Sequence, residues 1–202
     1  PEVAVASTKA VIAQLAAMYV VGLYLAQVRG TRDPDEVRAH LRDLQQIPDL
    51  VSEVLSRMEP VRALARELAQ EERVLFLGRH VGYPMALEGA LKLKELAYIS
   101  AEGFPAGEIK HGPIALIEEG TPVVIIAPRH ALQPKLVNNV QEVRARGART
   151  IVIATDGDES VTPYADTVIR IPDTKSLLTP LLTIVPMQVL SAEIARARGL
   201  DV

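Results

Sequence analysis

The sequence predicts an open α/β sandwich: a parallel sheet between helices, with further helices ahead of it. Three observations carry this. Short apolar runs at residues 74–77, 123–127, 151–154 and 168–171 recur after a purely helical first third. The first three runs are apolar on both faces, as strands covered by helices on both sides must be. Helical stretches separate the runs, and strand–helix–strand alternation implies right-handed βαβ units.

Each element follows from local signals. Residues 15–26 are an unbroken apolar run, including Gly22, with Lys9, Gln14, Gln27 and Arg29 around it. Ser7 can cap a helix over 8–28, and Gly30 can stop it. The run is shorter than the roughly 20 residues of a membrane span, so it is expected to be a buried helix with no membrane contact. Residues 31–34 form a loop. Residues 35–70 have helical spacing, and Pro48 and Pro60 are expected to divide them into two or three helices. After 71–73 the texture changes. The run at 74–77 ends at Gly78, and helix candidates follow at 84–98, at 134–146 (closed by Gly147) and at 180–198. The last is stopped by Gly199, with a kink expected at Pro186.

Composition removes whole classes of function. The chain has 202 residues, enough for one ordinary domain and a remainder. Lys and Arg number 22 against 25 Asp and Glu, a net charge of −3. A nucleic-acid partner would need clustered excess base, so none is expected. Aromatics at 3% without Trp argue against base stacking. The absence of Cys excludes disulfides, Cys-ligated zinc, iron–sulfur clusters and a Cys nucleophile, and is compatible with a cytoplasmic location. The four His show no metal-ligand spacing, so neither metal nor cofactor is expected. The chain starts at Pro1 without Met or a leader pattern, and reads as a piece of something longer.

Three features could carry chemistry. The turn from Gly78 to Tyr83 follows a strand and precedes a helix. It is either an anion-binding turn or simply a turn that needs two glycines. Next, Glu88, Lys92 and Glu95 share one stripe of a helix whose other positions are mostly small or apolar. That stripe is either an exposed salt-bridge ladder or a charged line on a buried helix, which must pair fully or face a cavity. Finally, His111 stands in a loop dense in Gly, Pro and charge. It is either a surface residue or a functional one.

The motifs ALEGALKLKE at 86–95, AE at 101–102 and GEIKHGPIAL at 107–116 resemble the sugar-isomerase (SIS) half of the glucosamine-6-phosphate synthase family. Residues 2–10 resemble the segment that closes the sugar pocket in that family's first isomerase subdomain, and 198–202 the stretch before its C-terminal tail. The resemblance spans the chain. It implies the SIS fold, with a fifth parallel strand at 99–102, and assigns residues 1–50 to the end of the first subdomain with linking helices and 51–202 to the second. It implies the amination of fructose-6-phosphate and its isomerisation to glucosamine-6-phosphate.

By the same resemblance, Glu95 is the base that moves a proton between sugar C1 and C2. Lys92 stands beside it and Glu88 is an acidic neighbour. His111 assists ring opening in the neighbouring subunit's pocket, which implies a homodimer. Val5 and Ser7 contact the phosphosugar. A carboxylate that takes and returns a proton suits this chemistry, and a nearby ammonium keeps it ionised. The family's glutaminase, its first phosphate loop and its tail lysine are expected outside these residues, leaving this chain alone without turnover. The helix over 8–28 would lack its own subdomain and could not be covered by this chain alone. The competing readings are a non-catalytic phosphosugar-binding SIS module, which needs no base, and a related SIS isomerase or deglycase.

Overall fold

A computed structural model describes residues 6–201. Three helices come first: Lys9–Val28 (α1), Pro34–Ser56 (α2) and Glu59–Leu68 (α3). Five strands follow, Arg73–Gly78 (β1), Ser100–Pro105 (β2), Pro122–Ala127 (β3), Arg149–Thr155 (β4) and Thr167–Ile171 (β5). Gly82–Ala97 (α4) crosses from β1 to β2, Gln133–Ala145 (α5) from β3 to β4, and Thr179–Ala197 (α6) closes the chain. The sheet is entirely parallel in the order β2-β1-β3-β4-β5, with Leu75 opposite both Glu102 and Val123. The four strands expected from apolar pattern are present, and so is the fifth that the family resemblance implied.

Two cores flank the sheet. On one face Val74, Phe76, Val124 and Ile126 meet α2, α3, α4 and α6. On the other, Leu75, Leu77, Val123 and Ile125 meet α5 and the segment after β2. β1 and β3 are buried along almost their whole length. Burial of this kind, at about 25 cal/mol per Å² of apolar surface, is what holds the layers together.

Three local expectations are corrected. Thr8, not Ser7, occupies the N-cap position of α1. Pro48 does not divide α2, although an interior proline costs about 3 kcal/mol. A capping box between Asp33 and Glu36 fixes the start of α2, and Val37, Ile47 and Val54 are buried along it. Tertiary burial therefore outweighs the broken bond. Pro60, by contrast, sits in the first turn of α3, where its missing N–H costs nothing.

The third correction concerns α1. It is not buried: Val11, Ile12, Leu15 and Tyr19 pack on the core, while Met18 and Tyr24 are 67% and 64% exposed. One helix surface can meet α2 and α6, and α1 is apolar almost all round, as expected for a helix that this chain alone cannot cover. By length and composition its 20 residues are enough to cross a membrane, which counting only 15–26 understated. Gly30, with φ of 66°, ends it as expected.

Candidate active site

The turn after β1 is set by backbone contact. A Cβ on Gly78 would overlap the Gly82 carbonyl, so only glycine lets α4 start there. Along α4, Gly89 does the same for α6: a Cβ there would collide with Met187 Sδ and stand 2.9 Å from the Phe76 ring. The small residues of this helix thus let α6 and the sheet approach closely. Lys92 is buried as a result, at 1% exposure.

Its ammonium is paired with two carboxylates. Lys92 Nζ lies 2.6 Å from Glu95 Oε2 and 3.3 Å from Glu88 Oε1. The two carboxylates keep partial contact with solvent, Glu95 the more of the two. The exposed ladder is therefore excluded: the solvent face of α4 is instead Leu87, Leu91, Lys94 and Tyr98. A buried ammonium is costly unless paired, and here two carboxylates share the load. Chemically, the arrangement offers one accessible carboxylate held beside a fixed positive charge.

Ser7 belongs to a segment strapped onto α6. Gln188 Nε2 donates to the Thr8 carbonyl at 3.2 Å, and Gln188 follows the Met187 that faces Gly89. Ala6 is buried there. Val5 lies outside the described residues.

His111 is placed elsewhere. It follows β2 in a loop with 3-10 turns at Ala106–Glu108 and Pro113–Leu116. Ala106 and Ile109 anchor this loop in the core that α5 covers. The His111 side chain is 74% exposed and only 3.9 Å from Glu108. α4 lies on the opposite face of the sheet. Glu95 sits near the end of α4, close to where β2 starts, and His111 lies beyond where β2 ends. Strand rise alone separates those edges by roughly 17 Å. The chain thus brings Glu88, Lys92 and Glu95 together and holds His111 apart from them.

The sheet order reverses between β1 and β3, and crevices at such reversals are where α/β proteins bind ligands. There the rings of His80 and His130 stack with centroids 5.5 Å apart. His130 Nδ1 accepts from Leu132 N at 3.0 Å, while Nε2 is buried without a hydrogen-bond partner among the described residues. Burial, then the charges of His80 and Arg79, hold the His130 imidazole below its usual range. The Gly78–Tyr83 turn thus places Arg79 and His80 beside His130. Sequence reading missed this pairing because the two His are far apart and share no motif. Among the described residues, no group of three or more His, Asp or Glu is placed to hold a metal ion.

Comparison with known proteins follows this geometry. Residues 67–195 match the SIS domain family model. Over its full length the chain is 63% identical to a glutamine–fructose-6-phosphate aminotransferase (isomerizing) of Streptomyces coelicolor and 58% identical to one of Mycobacterium tuberculosis. It spans about a third of those relatives, 34% and 33% of their lengths. The C-terminal domain of glucosamine-fructose-6-phosphate aminotransferase from Francisella tularensis superposes with a TM-score of 0.94 at 34% identity, covering 100% of this chain and 57% of that one.

Proposed function

The chain belongs to the SIS domain family, and from that premise we propose that it supplies the isomerase chemistry of an enzyme making glucosamine-6-phosphate from fructose-6-phosphate and ammonia. The observation that carries this reading is the buried Lys92 held between Glu88 and Glu95. A module that only recognises a phosphosugar has no use for it. Glu95, the more accessible carboxylate, takes the proton from C1 and returns it to C2. Lys92 keeps Glu95 ionised and steadies the negative charge that develops on the sugar oxygen. Glu88 completes the charge balance around the ammonium. Val5 and Ser7 contact the sugar, and the Gln188–Thr8 bond holds the chain next to Ser7 on α6. Residues 1–50 close a first subdomain, and 51–202 form the second. The setting is the cytoplasm, where phosphosugars are made and used.

His111 opens the sugar ring in the pocket of a second copy. Its place across the sheet from α4 supports this, because one chain does not bring His111 to Glu95.

Mixing two inactive variants of the full-length protein tests the shared site. Glu95→Gln and His111→Ala are each expected to lose turnover. Subunit exchange between them should recover roughly a quarter of wild-type activity, because half of random pairs are mixed and one of their two sites is intact. Mixed dimers without any recovered activity would refute a site shared between copies.

A further inference from the structure

The tip of the His111 loop is exposed, yet its base is fixed by contacts that the roles above do not use. Ala106 and Ile109 are buried under α5. Beside them runs a chain of polar side chains. Arg79, from the turn after β1, donates through Nη1 to Asn139 Oδ1 at 3.1 Å. Asn139 is buried on α5 and donates through Nδ2 to Glu142 Oε2 at 3.1 Å. The other carboxylate oxygen of Glu142 meets Lys110 Nζ at 2.7 Å. Lys110 immediately precedes His111.

The chain has a direction. Asn139 can satisfy both neighbours in one amide orientation only, oxygen toward the guanidinium and nitrogen toward the carboxylate. Gly107 takes part by having no side chain. A Cβ there would stand 3.0 Å from Arg79 Nη1 and 3.2 Å from Nη2. The guanidinium thus lies against the loop backbone while bonded to α5. Among the described residues, the His111 ring makes no side-chain hydrogen bond, and its charged neighbour is Glu108 at 3.9 Å. The orientation of His111 must therefore be set from the base of its loop.

We propose that Arg79, Asn139, Glu142 and Lys110 are positioning residues that fix the loop so that His111 is presented to a second copy in the orientation ring opening needs. The inference rests on the ring-opening role of His111 and deepens it. Arg79 packs the loop against the end of β1, a strand buried along almost its whole length. Asn139 and Glu142 tie it to α5. Lys110 is the outermost link and carries least, because it is largely exposed.

The test uses the full-length protein and two substrates. One is fructose-6-phosphate. The other is its analogue lacking the 5-hydroxyl, which cannot close a furanose ring and so needs no opening. Arg79→Met and Asn139→Leu should lower kcat on fructose-6-phosphate by about tenfold to a hundredfold, the scale on which small misplacements act. On the open-chain analogue both should stay within about twofold of wild type. Arg79→Lys keeps one donor and should recover most of the loss. Glu142→Gln keeps the bond from Asn139 but loses the Lys110 ion pair, and should cost about two- to threefold. Equal losses on both substrates, or none on either in these variants, overturn the positioning role. A separate control guards the reading beneath it: His111→Ala turning over both substrates like wild type would show that His111 does not open the ring, whatever Arg79 does.

Discussion

The α4 stripe and the His111 loop both put polar groups into a largely apolar fold, and they do so in opposite ways. On α4 the charged groups are part of the packing: Gly89 admits α6, and Lys92 is sealed between two carboxylates. In the loop the apolar anchors are buried and the polar tip is held out into solvent. A site built the first way ties its chemistry to the stability of the domain. A site built the second way can be altered at its tip without unfolding anything, but its geometry depends on supports beneath it.

The largest expected effect separates base from packing. Glu95→Gln in the full-length protein should slow exchange of the C1 and C2 protons by roughly 10²–10⁴-fold while phosphosugar binding is retained. Deuterium wash-in followed by NMR measures the first, and titration calorimetry the second. Exchange at near the wild-type rate means that another group is the base.

The comparison is sharpened by stability. Lys92→Met removes both ion pairs and leaves Glu88 and Glu95 facing each other. Because those carboxylates are partly solvated, the cost should be about 1–3 kcal/mol in urea unfolding, below the ~3–5 kcal/mol of breaking a fully buried pair. His111→Ala should change stability by no more than about 0.5 kcal/mol, as at other exposed positions. If the two variants unfold at the same urea concentration, the contrast between the sites is wrong.

The smallest effect lies in pH. The imidazole of His130 is held below its usual range in the folded state, so the unfolded chain binds its proton first on acidification. Its contribution is whole above about pH 6.5 and is lost as pH falls toward its folded value. Thermal melts between pH 7.5 and 5.5 should therefore show a shallower decline in His130→Gln than in wild type. An identical decline would show that the crevice does not make the carboxyl edge of the sheet sensitive to acid.

The sheet was legible because parallel strands buried on both faces cannot avoid apolar runs, and β3 and β4 advertise themselves. β2 was not. Its sequence, SAEGFP, is that of an edge strand with one neighbour, and only the family resemblance pointed to it. The α4 stripe was legible as spacing, and the small residues around it offered burial as one of two readings; what decides between them is α6, about a hundred residues later, meeting Gly89. Pro48 misled because propensity is local whereas the burial of Val37, Ile47 and Val54 is tertiary. The supports of the His111 loop were invisible for the same reason. Arg79, Asn139 and Lys110 come from three segments, and of these only Lys110 falls in a motif.

The hydrogen bond from Gln188 to Thr8 joins residues 180 apart in sequence. At synthesis rates of about 5–20 residues per second, the ribosome needs roughly 10–40 s to travel from one to the other. Through that interval the first helix has no α6 to rest on, and its apolar surface is open to whatever meets the nascent chain. The Thr8 carbonyl meets its partner only when α6 emerges, so this contact is among the final ones to be set in place.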